Sequence, residues 1–249
     1  MNIEKKIVLV TGGANGIGFA YATEFLRNGA AHVAVLDLAN SNGEEAVSKL
    51  NREFGQGRAI FVICDVTKPK ELEDGFAKTV KVFGGLDIVI NNAGIMDDSR
   101  WELMIDINYN AVVRGTLLGL QYMGKDKGGK GGTIVNIASI VGIVPSPIFP
   151  IYTGTKHAVV GLSRSLGLPF HYEKTGVRLL TMCPSVTDTQ LISKSAGRSS
   201  RNHDDALCMM HIIRVGETGS VWFIEGGEPI FEVEVPDAPI RKVAVKSQH

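Results

Sequence analysis

Short, fully apolar runs rich in β-branched residues recur along this chain and constrain its fold more than any other feature. The first is Ile7-Val-Leu-Val10, which ends just before a glycine-rich turn. Strands covered on both faces lose the alternation of polar and apolar residues, so such runs predict buried strands of a parallel sheet. Further runs of this kind lie at 33–36, 59–63, 86–90, 133–137, 177–182 and 220–224.

Stretches with helical spacing separate these runs. In residues 70–83, Leu72, Phe76 and Val80 fall on one face of a helix, and residues 43–54 form another such stretch. Alternation of strand and helix from residue 7 to 225 predicts an α/β fold, a Rossmann-type doubly wound parallel sheet of about seven strands in three layers. Because no Pro- or Ser-rich linker and no internal repeat interrupts it, we expect residues 1–249 to form one domain.

Two regions lack this order. Residues 190–219 are polar without a clear period, and we expect them to form a mobile flap over the substrate. Residues 228–249 alternate at first and then pass through Pro236 and Pro239 to a basic end, which predicts an extended tail in a subunit contact. The charged residues of the flap are expected to be solvated rather than in contact with substrate: Arg198, Arg201, His203, Asp204 and Asp205.

Composition excludes several classes of function. Lysine plus arginine and aspartate plus glutamate number 26 each, and this zero net charge argues against nucleic acid or an anionic membrane as the main partner. Cys64, Cys183 and Cys208 lack metal-ligand spacing, which predicts buried thiols in a reducing compartment rather than disulfides or a zinc site. With no signal peptide and no apolar run of about 18 residues, we expect a cytoplasmic protein without a metal ion.

A glycine-rich turn, Thr11-Gly-Gly-Ala-Asn-Gly-Ile-Gly18, joins the first strand to the first helix. Gly12 permits the tight turn, Gly16 lets the backbone approach a pyrophosphate, and Gly18 lets helix and strand pack closely. The start of a helix also offers free N–H groups and the positive end of its dipole to phosphates. The position between strand and helix favours a dinucleotide site over a simple structural turn.

Acidic residues at the ends of the second and third strands extend this prediction. Asp37 lies where an acid binds both ribose hydroxyls. Such an acid repels a 2′-phosphate, and Leu38 rather than arginine follows it, so NAD is favoured over NADP. The alternative is that Asp37 caps the next helix. Asp65, which precedes Val66, is placed equally well to reach the adenine amine or to cap the following helix.

Tyr152 and Lys156 lie four residues apart, on one face of a predicted helix that runs to about Leu166. A free tyrosine has a pKa of about 10, but a nearby lysine cation and a positive nicotinamide ring favour the phenolate. A tyrosine tuned in this way takes the hydroxyl proton as hydride leaves the adjacent carbon. The pair alone is typical of many surface helices, so its interpretation depends on what surrounds it.

The surrounding motifs resemble the short-chain dehydrogenase/reductase family over nearly the whole chain. They are TGGANGIG at 11–18, Asp37, Asp65, NNAG at 91–94, Asn108, Ser139 and YTGTK at 152–156. The resemblance implies a catalytic tetrad of Asn108, Ser139, Tyr152 and Lys156.

Each member of the tetrad has an implied role. Tyr152 is the general acid/base, and Ser139 hydrogen-bonds the substrate oxygen and the developing oxyanion. Lys156 binds the nicotinamide ribose and lowers the pKa of the tyrosine. Asn108 holds a water on an irregular helix, or, as the alternative, is a buried amide satisfied by backbone groups.

The resemblance also implies which residues bind NAD and the substrate. The expected cofactor-binding residues are Gly12, Asn15, Gly16, Ile17, Gly18, Asp37, Leu38, Asp65, Val66, Asn92, Ala93, Gly94, Tyr152, Lys156, Pro184, Val186 and Thr189. The expected substrate-binding residues are Ser139, Ile140, Phe149, Tyr152 and Val186.

Residues near the tetrad are mostly apolar, and they either line the cleft or fill the core. If they line it, the substrate is a hydrophobic secondary alcohol or its ketone, of lipid-like, isoprenoid, steroid or aromatic type. These residues are Ile95, Met96, Ile140, Val141, Ile143, Pro147, Ile148, Phe149, Val186 and Leu191.

Within the family, segments 101–123 and 156–164 are most similar to a branch of NAD-dependent 15-hydroxyprostaglandin dehydrogenases and insect alcohol dehydrogenases, which oxidise secondary alcohols. Phe149 stands where the prostaglandin enzymes have glutamine, which makes the site more apolar. Ser185 stands where the family has glycine, and serine disfavours positive φ, so we expect the loop at the nicotinamide amide to sit differently.

The family makes its dimer interface on the helix that carries the catalytic tyrosine. The resemblance therefore implies a homodimer or homotetramer with small or apolar contact residues at Ala158, Val159, Gly161 and Leu162. A non-catalytic dinucleotide-binding or sensing protein is the alternative function. The tetrad favours a dehydrogenase, because a binding protein gains nothing from Ser139, Tyr152 and Lys156 together.

Overall fold

The computed structural model describes residues 1–185, 198–225 and 229–234, which fold around a single sheet. The strands are β1 Ile7–Thr11, β2 His32–Asp37, β3 Ala59–Ile63, β4 Ile88–Asn91, β5 Gly132–Ile137, β6 Val177–Pro184, β7 Val221–Ile224 and β8 Phe231–Glu232. The α-helices are α1 Gly16–Arg27, α2 Gly43–Phe54, α3 Pro69–Phe83, α4 Trp101–Ile105, α5 Ala111–Met123, α6 Pro150–Leu166, α7 Pro169–Thr175 and α8 Arg198–Val215.

The strands lie in the order β3-β2-β1-β4-β5-β6-β7-β8. The first seven are parallel, as the apolar runs predict, and Val8 of β1 lies between Val33 of β2 and Ile88 of β4. Chain connectivity reverses direction between β1 and β4, and in sheets of this kind that point opens a crevice at the carboxyl ends of the strands. The fold class is therefore the Rossmann-type sheet that the sequence predicts.

An eighth strand is the first difference from the predicted sheet of about seven. β8 pairs antiparallel with β7, with Phe231 opposite Phe223. Part of the expected extended tail, 228–249, is thus a short edge strand, and residues 235–249 lie outside the described part of the chain. Only two residues pair, and sequence periodicity does not detect a strand of that length.

Helices cover both faces of the sheet because successive strand side chains point in opposite directions. On β1, Val8 and Val10 pack into a cluster with residues of α1, α2 and α8. Leu9 points the other way, into a cluster with residues of α3 and α5. All three of these β1 side chains are fully buried.

The described part of segment 190–219 contradicts the expectation of a flap. Residues 198–215 form α8, which packs against α1, and its Met209 and Ile213 have no exposed surface. Asp205, expected to be solvated, is only 2% exposed. The apolar residues of α8 do follow helical spacing, but the polar stretch before them hides the pattern. Residues 190–197 lie outside the described residues.

The expected subunit contact on α6 also needs one correction. Val159 is fully buried within the chain's own core, so it does not face a partner. Gly161 is exposed, and Ala158 and Leu162 are half-buried.

The three cysteines are free thiols. Burial raises the pKa of Cys64 and of Cys183 to about 12, which keeps both thiols protonated and unreactive. Within the described ranges, no three or more histidine, cysteine, aspartate or glutamate side chains are grouped so that they could hold a metal ion. Across the same residues, no helix combines the length and apolar character needed to cross a membrane.

Candidate active site

The polar motifs follow the carboxyl ends of parallel strands and therefore meet at one edge of the sheet. The glycine turn follows β1, Asp37 ends β2, and Asp65 follows β3. The NNAG segment spans the end of β4, and Ser139 lies just beyond β5. A single crevice thus receives motifs that are far apart in the sequence.

The glycine turn has the backbone that its sequence predicts. Gly12 and Gly16 adopt positive φ values of 64° and 54°, which favour glycine. A Cβ atom at Gly18 would lie 2.3 Å from the carbonyl oxygen of Gly12, so only glycine lets α1 pack this close to the turn. The first N–H groups of α1 have no intrahelical partner. They are therefore available to donate hydrogen bonds to a phosphate.

The NNAG segment is tied to this turn by hydrogen bonds. The Asn92 side-chain nitrogen donates to the carbonyl oxygens of Thr11 and Gly12 at 2.9 and 3.1 Å. The Thr11 hydroxyl in turn accepts the N–H groups of Asn92 and Ala93. The Asn92 side-chain oxygen is buried without a hydrogen-bond partner among the described residues, which leaves one acceptor unsatisfied. Together, the turn and this orphaned acceptor fit a bound dinucleotide.

Asp37 and Asp65 organise the backbone around them. Asp37 accepts the N–H of Ala14 at 2.9 Å and that of Leu38 at 2.8 Å, so it joins β2 to the glycine turn. The alternative that Asp37 caps α2 is wrong, because Asp37 accepts from Ala14 and Leu38 and the N-cap residue of α2 is Asn42. Asp65 accepts both the N–H and the hydroxyl of Thr67, at 3.0 and 2.7 Å, and so forms the turn that leads into α3.

Ser139, Tyr152 and Lys156 lie together at the end of β5 and the start of α6. Ser139 lies close enough to Tyr152 to lower the pKa of its phenol, and the Lys156 ammonium lies 5.6 Å from the centre of the tyrosine ring. Lys156 is 4% exposed, and its Nζ donates to the carbonyl oxygen of Ile137 at 2.9 Å. The structure therefore brings three of the expected tetrad members into one cluster.

Burial shifts the pKa values of this pair in opposite directions. It raises the pKa of Tyr152 to about 12, against a smaller lowering by the Ser139 hydrogen bond. It lowers the pKa of Lys156 to about 8. The expected lowering of the tyrosine pKa by Lys156 is therefore not found in the protein alone, where burial is the largest cause of the shift.

Asn108 lies in a π-helical turn, Asp106–Asn110, between α4 and α5, in accord with the irregular helix expected there. Its side-chain oxygen accepts the N–H of Ile95 at 2.9 Å, and its nitrogen donates to the Ile95 carbonyl at 2.8 Å and to the Thr155 hydroxyl at 3.3 Å. The Asn108 side chain is thus a buried amide satisfied mainly by backbone, as the alternative has it. The water expected near Asn108 stays a prediction.

A cavity of about 430 Å³ joins the nucleotide turn to the tetrad. Its polar lining residues are Asn92, Ser139, Ser146, Tyr152, Lys156 and Ser185. Its apolar and glycine lining residues are Ile17, Gly94, Ile95, Met96, Ile137, Ala138, Ile140, Val141, Ile148, Phe149 and Pro184.

Most of the apolar residues expected at the cleft therefore line it, including Phe149. Ile143 instead packs against a core cluster. Sequence reasoning missed Ile137, Ala138 and Ser146 of the lining, since none of them belongs to a motif. Val186, Thr189 and Leu191 lie outside the described residues. Ser185 is not among the residues with positive φ, and its N–H donates to the Ile224 carbonyl at 2.7 Å.

Comparison with known proteins agrees with this geometry. The family model described as short chain dehydrogenase matches residues 6–199. A 15-hydroxyprostaglandin dehydrogenase (NAD+) of Mus musculus is 41% identical over 192 residues, which are 77% of this chain and 71% of that protein. Alcohol dehydrogenase 1 of Ceratitis capitata is 32% identical over 244 residues, covering 91% of this chain and 94% of that protein.

A solved structure shares the fold. The 3-ketoacyl-(acyl-carrier-protein) reductase from Brucella melitensis, complexed with NADH, superposes with a TM-score of 0.78 at 22% identity. The superposition covers 90% of this chain and 98% of that one. With the family match over most of the chain and relatives from the branch that the motifs resemble, the chain belongs to the short-chain dehydrogenase family.

Proposed function

We propose that this protein is an NAD-dependent dehydrogenase that interconverts a hydrophobic secondary alcohol and its ketone. The observation that carries the proposal is the shared cavity, into which both the dinucleotide end of the crevice and the Ser139–Tyr152–Lys156 cluster open. A hydride donor or acceptor held by the glycine turn and an alcohol at Tyr152 would then share one cavity. Such proximity is what hydride transfer requires.

Tyr152 is the proposed general acid/base. In ketone reduction, its phenol donates a proton to the substrate oxygen, and in alcohol oxidation its phenolate accepts the hydroxyl proton. Ser139 hydrogen-bonds the substrate oxygen and stabilises the charge that develops there. Lys156 lies beside Tyr152, and its positive charge, together with that of the nicotinamide ring when NAD is bound, favours the phenolate. NAD held by the glycine turn and Asp37 would supply the hydride acceptor for alcohol oxidation and, in its reduced form, the hydride donor for ketone reduction.

The choice of NAD rests on the end of β2. Asp37 places a carboxylate beside the glycine turn, and the next residue, Leu38, is exposed and carries no charge. A 2′-phosphate in this position meets a negative charge without a compensating arginine at residue 38. The relative named for NAD(+) and the fold neighbour solved with NADH support the same choice.

The apolar cavity supports a hydrophobic substrate. Phe149, Ile140 and Met96 line the space beside Tyr152, so a bulky alkyl or ring group gains burial there. We also propose a homodimer or homotetramer that contacts through the exposed Gly161 side of α6, and a reducing compartment such as the cytoplasm for its free thiols.

A non-catalytic dinucleotide-binding protein is the competing proposal. It requires the glycine turn and Asp37 but has no use for a tyrosine, a serine and a buried lysine that line one cavity. Nucleotide binding without turnover of any alcohol or ketone would support this competitor.

The test combines nucleotide binding with a substrate panel. NADH and NADPH are titrated against the protein by nicotinamide fluorescence, with tighter binding expected for NADH. NAD is then supplied with a long-chain secondary alkanol, a hydroxysteroid, a prostaglandin or a sugar alcohol, and NADH absorbance is followed. We expect kcat/KM for the best hydrophobic alcohol to exceed that for the sugar alcohol about tenfold or more. A preference for the sugar alcohol would refute the hydrophobic substrate, and failure to bind either nucleotide would refute the proposal as a whole.

A further inference from the structure

The helix that carries Tyr152 and Lys156 begins without a cap from its own sequence. α6 starts at Pro150, and the preceding Phe149 has no side chain able to accept a hydrogen bond. The first N–H groups of a helix have no intrahelical partner, and proline has no N–H. Thr153 already donates to the Phe149 carbonyl, so Ile151 and Tyr152 carry the N–H groups that need a partner from elsewhere.

Asp98 supplies that partner from a loop more than fifty residues earlier. One of its carboxylate oxygens accepts the N–H of Ile151 at 2.9 Å, and the other accepts the N–H of Tyr152 at 3.0 Å. A carboxylate at a helix N-terminus is favoured both by hydrogen bonding and by the helix dipole. The start of α6 is therefore fixed to the loop after β4.

The carbonyl side of the Tyr152 residue is held as well. The Thr155 hydroxyl donates to the Tyr152 carbonyl at 2.7 Å and accepts a hydrogen bond from Asn108. Asn108 in turn binds the backbone of Ile95, three residues before Asp98. The backbone of Tyr152 is thus connected by hydrogen bonds through Thr155 and Asn108 to Ile95. The same loop leads to Asp98, which binds the Tyr152 N–H.

We propose that Asp98 is a positioning residue. It sets the position of the Tyr152 phenol relative to the loop from Ile95 to Asp98. The proposal rests on the proposed role of Tyr152 as general acid/base. Ile95 and Met96, in the same loop, line the cavity, so the wall that contacts substrate and the residue that exchanges its proton are joined by one carboxylate. A displacement of Tyr152 of about 1 Å is enough to lower the rate of proton transfer by orders of magnitude.

Asp97 offers a matched control in the same loop. Its carboxylate accepts from Ser99 and Arg100, and none of its recorded bonds within the described residues reaches α6. Asp97→Asn and Asp98→Asn therefore make the same chemical change at adjacent positions. In Asp98→Asn the amide nitrogen faces one of the two N–H donors, so one hydrogen bond is lost without a change of shape.

The first readout is amide hydrogen exchange of the full chain without nucleotide or substrate. We expect faster exchange at Ile151 and Tyr152 in Asp98→Asn and wild-type exchange there in Asp97→Asn. The second readout is kcat with the fastest alcohol of the panel, expressed per NADH-binding site so that unfolded protein does not count. We expect kcat of Asp98→Asn to fall about tenfold or more, with an increased solvent isotope effect and with the Kd for NADH within about twofold of wild type.

Wild-type kcat in Asp98→Asn, together with an inactive Tyr152→Phe, would overturn the role of Asp98 and leave the proposed function intact. An equal loss of kcat in Asp97→Asn would likewise overturn it. Full activity in Tyr152→Phe would overturn both. If Asp98→Asn does not fold, Asp98→Ser, which keeps one oxygen acceptor, is measured in the same way, and a wild-type kcat with lost amide protection refutes the proposal.

Discussion

Tyr152 and Lys156 lie side by side where water has little access, and this burial decides their charge in the protein alone. With a pKa of about 12, Tyr152 is a phenol at neutral pH, the form that the proposed mechanism needs for ketone reduction. In the same proposal, alcohol oxidation needs the phenolate, so we expect it to be favoured by a high pH and by the positive charge of bound NAD. Lys156, with a pKa of about 8, carries its positive charge below pH 8 and loses it as the pH rises through 8.

The motifs indicated which residues form the site, but they did not indicate which groups those residues contact. The tetrad was implied by the resemblance of several motifs to one family, since a tyrosine and a lysine four apart share a face on many surface helices. The bond of Asn108 to Ile95 and the cap from Asp98 were not foreseen. Both depend on where two loops meet in space, and a short polar residue in a loop gives no sign of its distant partner.

At the scale of elements, the junction of β1 and α1 shows how a glycine spacing dictates close packing. A methyl group at Gly18 would lie 2.3 Å from the Gly12 oxygen and 2.6 Å from the Asn92 side-chain nitrogen. Asn92 is itself fixed by Thr11 and Gly12, so it has no room to move aside. The helix start and the strand end cannot both keep their places with a larger residue.

Alanine substitutions at two helical glycines test this packing. Gly18→Ala is expected to lower the free energy of unfolding by about 1–3 kcal/mol and to weaken NADH binding, because α1 must shift. Gly154→Ala on α6, where no atom of the described residues lies within 4 Å of the new methyl group, is expected to raise it by about 0.5–1 kcal/mol. Urea unfolding measures both, and equal effects of the two substitutions would refute the packing argument.

Elements were predictable where a pattern was long and regular. The stretch that predicted α2 matches its bounds, and each apolar run falls on a strand. α8 was mistaken for a flap because residues 198–205 are polar and hide the apolar face that follows. β8 has only two residues, and its pairing with β7 is a tertiary contact that local sequence does not encode.

At the scale of the whole molecule, positive and negative charges balance, so the pH dependence of stability reflects individual buried groups. Asp205 on α8 is 2% exposed, and one of its oxygens has no partner among the described residues. Burial, with help from the charge of Asp204, raises the pKa of Asp205 to about 7 from 3.8. The folded protein therefore keeps a proton that the unfolded chain releases as pH rises above about 4.

The stabilisation linked to this proton is present at low pH and is lost as the pH rises through 7. Asp205→Asn has no proton to lose there, so its free energy of unfolding relative to wild type is expected to rise between about pH 4 and pH 8, by up to about 4 kcal/mol. Urea titrations of both proteins at the two pH values give this difference. A difference that does not change with pH would show that Asp205 is charged in the folded protein.

The parallel topology was predictable because the same pattern, an apolar strand followed by an amphipathic helix, recurs along most of the chain. The site followed from that topology, since carboxyl ends of parallel strands share one edge. The identity of the substrate does not follow, because apolar residues such as Phe149 and Ile140 set the size and dryness of a cavity but no specific pattern of polar contacts.

We propose that the Tyr152 hydroxyl exchanges the substrate proton and contributes little to the affinity of the site for NAD. Tyr152→Phe removes one oxygen and keeps the ring, so the most direct measurement is its kcat and NADH Kd beside those of wild type. We expect turnover to fall by about 100-fold or more, as for loss of a general acid/base, while the NADH Kd stays within about twofold. Wild-type turnover in Tyr152→Phe would show that the Tyr152 hydroxyl does not exchange the substrate proton.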